Sequence, residues 1–404
     1  MELPQNRRQV LIFEPSVDGH HIGWLRITTE DLLGAGHSLT LAVDTRAKAM
    51  ERIAGQMADL LSRVKVISAL PAAGDRTKVT SAARVAACLK ESGAAIVFLA
   101  NFNDLASDTL RRAALGRMPD AALRGRLGGI YFRPLFLNAS ILSFNQTLKK
   151  IGFRRLLSGG WLNPLLMIDP LLCDIAQKKY PHAPIYLLAD PYPEHFLAER
   201  AAARRQFNLP DDRFVFLFYG GGYKRKGLHL AVEAMLQLPT STKAFLLCAG
   251  QQPQNNQLQR DLETLRSQGR AEIVNRYISA QEEKQVFAAC DAVLLPYIRH
   301  PVGSGVLSRA AGAGKPVIAS DEYFLGHVVR HYGMGLLFPS GQVPELQNAI
   351  VRAASAGAEE LSRWRTGAHA FAKTCSREVV RSVLVTAVES TLQTLNLPHE
   401  IQPK

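Results

Sequence analysis

A chain of 404 residues, 47% hydrophobic and 21% charged, holds enough apolar material for two or three folded domains, which excludes a disordered or fibrous protein. Its formal charge of +13 suits phosphorylated substrates, an anionic membrane or nucleic acid, but no nucleic-acid-binding motif accompanies the charge. Five scattered cysteines without Cys-x-x-Cys spacing predict buried free thiols, not a disulfide framework or zinc site. No signal-peptide core or bilayer-length apolar run is visible, so the expected location is the cytoplasm.

In chain order, residues 9–13 form a near-continuous apolar strand that opens into the loop 14–21 and a helix over 22–33. A strand over 38–43 completes a β-α-β unit, and repetition of that pattern implies a parallel sheet. Further strands are expected at 64–67, 95–99, 129–132, 165–168 and 185–188, with a helix over 81–91. Asp169 is placed to cap the helix that leads to Lys179. Between residues 111 and 155 ten basic side chains face Asp120 alone. Within this stretch, residues 144–162 interleave Lys149, Lys150, Arg154 and Arg155 with Ile151, Phe153, Leu156 and Trp161. Two readings stay open: a segment lying on an anionic membrane, or a core-facing helix with a solvated basic face, the second slightly favoured.

Asp190-Pro191-Tyr192-Pro193 interrupts the pattern, and a charged helix over 198–206 follows. We place a first domain at 1–190, a linker at 191–212 and a second domain at 213–376, with a final helix and tail at 377–404. The second domain repeats the alternation: helix 228–237, strand 244–249, helix 256–267, strand 272–275, helix 281–289, strand 291–295, strand 335–338 and helix 344–356. The fold class is therefore α/β, with two Rossmann-like domains facing each other across a cleft at the carboxyl ends of their strands.

Two stretches of the second domain carry chemistry. FVFLFYGGGYKRKG (214–227) is a buried strand, three glycines and the cluster Lys224, Arg225, Lys226 before a helix. HPVGSGVLSRAAGAGKPVIASD (300–321) is a glycine-bearing loop, a small-residue helix starting near Ser304, and a strand. Glycine turns let backbone amides approach a ligand, and free amides at a helix start favour phosphate. Neither stretch is a Walker loop or a dinucleotide fingerprint. Together they suit a diphosphate.

The second half resembles the retaining glycosyltransferases of family 4, which have the GT-B fold. The matching text is GGGYKRKGLHLAVEAM (220–235), ISAQEEKQVFAACDAVLLPY (278–297), GVLSRAAGAGKPVIASD (305–321) and GLLFP (335–339). The first half matches in β-α pattern, with DGHHIGWLR (18–26) at the family's acceptor-side loop. The resemblance implies a nucleotide-diphosphate-sugar donor held by the second domain, a glycan or lipid-linked hydroxyl acceptor held by the first, and a final helix that crosses back. It implies no metal or other cofactor, because positive groups neutralise the diphosphate. A peripheral contact with an anionic membrane on the cytoplasmic face fits such an acceptor.

Carried over residue by residue, Lys226 stands at the family's diphosphate lysine. The family's neighbouring arginine falls on Gly221, so Arg225 or Lys224 would replace it. Gly221, Gly222, Ser304, Gly305 and Val306 would meet the donor through backbone amides, and Arg276 and Tyr277 lie near the seat of the base. The family's paired glutamates fall on Pro301 and Arg309. Arg309 then touches an anionic donor, or other groups such as His300 hold the sugar, or the chain is a non-catalytic nucleotide- or glycan-binding scaffold. In the first domain Asp18, Gly19, His20 and His21 form the candidate acceptor loop, with Asn101 and Arg133 at further strand ends. Neutral histidine accepts a proton near pH 7, and His20 is assigned that catalytic role, while Lys226 and Arg225 are the catalytic cations that would neutralise the leaving diphosphate. Glu282 and Glu283 read as a solvated helix start.

Overall fold

The computed structural model describes residues 9–18, 20–72, 74–75, 77–138, 143–193 and 197–395. It divides into two compact units, Met1–Ala189 with Arg381–Lys404, and Asp190–Val380. Gly19 lies outside the described residues.

In the first unit the elements are β1 (Gln9–Glu14), α1 (His21–Gly34), β2 (Ser38–Val43), α2 (Ala47–Leu61), β3 (Lys65–Ser68), α3 (Ala82–Ser92), β4 (Ile96–Leu99), α4 (Asn103–Ala114), β5 (Leu127–Tyr131), α5 (Phe144–Ser158), β6 (Leu162–Met167), α6 (Pro170–Lys179) and β7 (Ile185–Leu187). The strands form one parallel sheet in the order β3-β2-β1-β4-β5-β6-β7. Val10, Leu11, Ile12 and Phe13 of β1 are all buried, as a strand covered by helices on both faces requires. Asp169 caps α6 by accepting from the amides of Leu171 and Leu172 at 2.9 and 3.1 Å.

Residues 144–162 resolve toward the core-facing reading. Phe153 and Leu156 of α5 are fully buried, while Lys150, Arg154 and Arg155 remain exposed. Gly152 permits the approach of α4: a β-carbon there would lie 1.8 Å from the Leu110 carbonyl oxygen. Helices α2 and α4 were not anticipated. The apolar face of α2 is thin, four buried positions among charged ones, and α4 opens on the turn-like residues Asn103 and Asp104.

The second unit contains α7 (Arg200–Gln206), β8 (Phe214–Tyr219), α8 (Leu228–Gln237), β9 (Ala244–Ala249), α9 (Asn256–Ser267), β10 (Ala271–Val274), α10 (Ala280–Ala289), β11 (Ala292–Leu295), α11 (Gly305–Gly312), β12 (Val317–Ser320), α12 (Tyr323–Tyr332), β13 (Gly335–Phe338), α13 (Val343–Ala354), α14 (Ala358–Thr374) and α15 (Arg377–Thr394). Its sheet is also parallel, in the order β10-β9-β8-β11-β12-β13. Only the first residues of α15 belong to this unit; from Arg381 onward the helix belongs to the first unit, where Thr391 donates to Asn163 Oδ1 at 2.8 Å. All five cysteines are buried and free.

Helix α7, within the segment expected as a linker, packs into the second unit. Arg204 is 1% exposed, and its Nη2 meets Asp291 Oδ2 at 2.6 Å while its Nε donates to the Ala289 carbonyl at 3.1 Å. A run as charged as RAAARRQ reads as solvated, but an arginine stem can be buried when its head is fully bonded.

Candidate functional site

In each sheet the strand order reverses beside its first strand, between β1 and β4 in one and between β8 and β11 in the other. Loops at the carboxyl ends of such strand pairs diverge and leave room for a ligand. The sequence-selected residues fall on these loops.

In the second unit, the chain leaves β8 through Gly220, Gly221 and Gly222 and enters a 3-10 turn, Lys224–Lys226. Gly220 has φ +96°, and a β-carbon on it would lie 2.8 Å from Lys226 Nζ, so the ammonium rests over the glycine backbone. Gly222 packs under Gln252 and Leu228, and Gly227 (φ +70°) packs against the Pro296 carbonyl. The loop after β11 meets this turn. The Ile298 amide donates to the Arg225 carbonyl at 2.8 Å, and Arg225 Nη1 lies 3.1 Å from His300 Nδ1. The two stretches singled out in the sequence are therefore in contact.

Helix α11 begins after Ser304, whose side chain makes no cap bond with the first amides and instead donates to Tyr297 Oη at 3.5 Å. Gly305 and Val306 thus present the start of the helix without a side-chain cap. Lys226, largely through burial and then through Arg225 and Arg309, has its pKa pushed down to about 8. Arg225 and Arg309 both act on Lys226 at this point, an arrangement in which an anion would relieve the repulsion on the ammonium.

Arg309 has a firm seat. Its Nε donates to Glu283 Oε1 at 2.7 Å and its Nη1 to the Gly305 carbonyl at 3.1 Å. The Tyr219 hydroxyl donates to the same Glu283 oxygen at 2.7 Å. Asp190 lies beside it, since a β-carbon on Gly305 would be 2.9 Å from both Asp190 Oδ2 and Arg309 Nη1. Burial, opposed by Arg309, raises the Asp190 pKa to about 6. This corrects the reading of Glu283 as solvated: it is 7% exposed, because Arg309 and Tyr219 supply the partners that let a carboxylate be buried. Glu282 does serve the helix start, in a capping box with Ser279, and Arg276 holds its pKa down to about 2. That pairing engages Arg276, with contacts of 2.9 and 2.5 Å, while Tyr277 is 81% exposed at the end of β10. Lys224 is exposed.

In the first unit, His20 and His21 stack with centroids 4.8 Å apart, and His20 meets Phe132 edge-on at 5.3 Å. Burial, then His21 and Arg133, lowers the His20 pKa to about 4, so it is neutral at physiological pH. His21 Nδ1 lies 3.0 Å from Glu14 Oε1, and this bond raises its pKa against the effect of burial. Acceptor atoms of Glu14, His21 and Asp104 lie within 4.8 Å of one another, the one such trio among the described residues. The structure thus gives the carboxylate partner to His21, not to His20. Glu14 was hidden at the end of an apolar strand.

The other acceptor-side residues have local duties. Asp18 pairs with Arg52 at 2.5 Å. Asn101 Oδ1 accepts from the Asn103 amide and side chain at 3.0 and 2.8 Å, fixing the entry to α4. Asn103 Oδ1 in turn accepts from the Arg133 amide at 2.9 Å, leaving the Arg133 side chain exposed.

Residues 199–370 match the family model described as Glycosyl transferases group 1. The chain carries a glycosyltransferase domain. That domain, which spans the β8 and β11 loops, makes the protein a transferase enzyme. Solved structures agree on the fold. A glycosyltransferase from Rickettsia africae aligns with TM-score 0.69 at 13% identity, covering 97% of this chain and 100% of that one. Anabaena Alr3699/HepE in complex with UDP and glucose gives 0.65 at 16%, covering 96% and 99%. WaaG, a glycosyltransferase involved in lipopolysaccharide biosynthesis, gives 0.62 at 16%, covering 95% and 99%. The two Rossmann-like units, the second of which contains the matched residues, are thus those of the GT-B fold. No curated protein matches the chain.

Proposed function

We propose that the protein moves a sugar, with retention, from a nucleotide-diphosphate-sugar donor to a hydroxyl of a glycan or lipid-linked acceptor. The observation that carries this is the meeting of Lys226, Arg225 and Arg309 beside the uncapped start of α11. A departing nucleoside diphosphate gains negative charge as the sugar–oxygen bond breaks. Fixed cations and helix amides at that point stabilise it without reorganising. Catalysis then rests on this stabilisation and on the orientation of both substrates, with no metal required. Anabaena HepE, crystallised with UDP-glucose, supports a donor of this class. The WaaG likeness supports a glycan acceptor. Tyr277 offers a free aromatic face to the base.

The exposed basic face of α5, with Phe144 79% and Ile151 43% exposed beside it, supports peripheral contact with an anionic membrane on its cytoplasmic side. Among the described residues no helix is long and apolar enough to cross a bilayer. Salt-sensitive sedimentation with phosphatidylglycerol vesicles supports that contact, and equal recovery with neutral vesicles removes it.

A panel of nucleotide-diphosphate sugars, scored for binding and for hydrolysis or transfer, tests the reaction. Turnover of at least one donor, unchanged by EDTA, is expected. Binding without turnover, with every acceptor tried, favours the scaffold reading that the Arg309 position raises.

A further inference from the structure

Glu14 ends β1 as a buried carboxylate, 1% exposed, that the reaction above does not use. Its Oε1 accepts from the Ser16 amide at 3.0 Å and lies 3.0 Å from His21 Nδ1. Its Oε2 is buried with no hydrogen bond. A carboxylate against one ring nitrogen keeps the proton on that nitrogen and leaves a lone pair on the other. The Asn101 amide nitrogen lies 3.4 Å from both ring nitrogens of His21, a long hydrogen bond shared between them that a closer hydroxyl donor at Nε2 would displace. Beside the ring stand the neutral His20, itself edge-on to Phe132, and the carboxylate of Asp104. Aromatic faces beside hydroxyl-accepting groups suit a polyhydroxylated ring.

We propose that Glu14 is the positioning residue of the acceptor site: it holds His21 with Nδ1–H toward β1, so that Nε2 accepts the hydrogen bond of a sugar hydroxyl. The acceptor is accordingly a saccharide. This rests on the transfer reaction proposed above. The charged groups facing His21 are Glu14 from β1, Asp18 and His20 from the following loop, and Asp104 from α4, with Arg133 acting on His20. Protonated His21 cannot accept, so acceptor binding weakens as pH falls through its pKa. The bond to Glu14, with Asp104 and Asp18, raises that pKa.

The test uses methyl glycosides of glucose, galactose and mannose as acceptors, together with a pH titration of ¹⁵N-histidine-labelled protein. Glu14→Gln, nearly isosteric, is expected to raise the acceptor KM about tenfold, without moving the donor KM. The acid limb of kcat/KM for acceptor and the His21 titration should both move to lower pH. His21→Asn should raise the acceptor KM likewise and remove the limb, and Glu14→Asp should recover part of the loss. An acceptor KM that rises while the His21 titration stays in place would reduce Glu14 to a structural role and overturn the proposal. So would a panel in which no glycoside is accepted or perturbs the His21 signals while donor hydrolysis proceeds. Absence of donor turnover in the wild type would instead count against the transfer reaction itself.

Discussion

Replacing Lys226 with alanine should lower turnover by about 10²- to 10³-fold, the usual loss when one preorganised charge donor is removed from a developing anion. The ammonium rests over Gly220, and Arg225 and Arg309 act on it there. Adding Arg225→Ala should deepen the loss, because Arg225 ties the β8 turn to the β11 loop through His300. The pH profile gives an independent check. Burial and the two arginines push the Lys226 pKa down to about 8, so the free enzyme loses this charge as pH rises through that value. The kcat/KM for donor should therefore fall on an alkaline limb near pH 8, and Lys226→Arg should retain activity past it. A double variant with wild-type turnover would refute the assignment.

Arg309→Ala is expected to cost about 3 kcal/mol of stability, since it leaves Glu283 as a buried charge without its cation. Asp190 adds a pH signature. Its folded pKa, about 6, is above the ordinary 3.8, so its contribution to stability is present at low pH and lost as pH rises toward 6. Arg309 opposes that rise. In the variant the loss should extend to higher pH, giving a steeper decline of melting temperature above pH 6 than in the wild type. The alkaline limb assigned to Lys226 should also move upward, because one of the cations that lowers its pKa is gone. Differential scanning calorimetry and a donor pH profile check the two effects separately. Arg309→Glu should be less stable still, because the new carboxylate would face Glu283 and Asp190.

The second unit was more legible in the sequence than the first. Strands such as 244–249 are continuous apolar runs, and helices 228–237 and 256–267 have well-marked flanks, so their bounds coincide with β9, α8 and α9. Helices α12 and α14 escaped notice for packing reasons. Gly326 sits inside α12 because a β-carbon would lie 2.0 Å from the Asp321 carbonyl, and α14 buries small residues such as Gly367 and Ala368 that leave little periodic signal.

At the site, the basic cluster and the glycine turns could be read locally. Partnerships across the fold could not. Glu283 meets Tyr219 and Arg309, 64 and 26 positions away, and only the folded sheet reveals that it is buried. Adjacent histidines are equivalent in a sequence, so the choice between His20 and His21 depended on which ring reaches Glu14.

In the proposed reaction one diphosphate is held by both the β8 turn and the start of α11. Titration calorimetry with UDP and UMP tests this most directly. We predict that UDP binds the wild type at least tenfold more tightly than UMP, and that Lys226→Ala with Arg225→Ala removes the difference. Equal affinities for the two nucleotides in the wild type, or a preference for UDP that survives the double substitution, would contradict it.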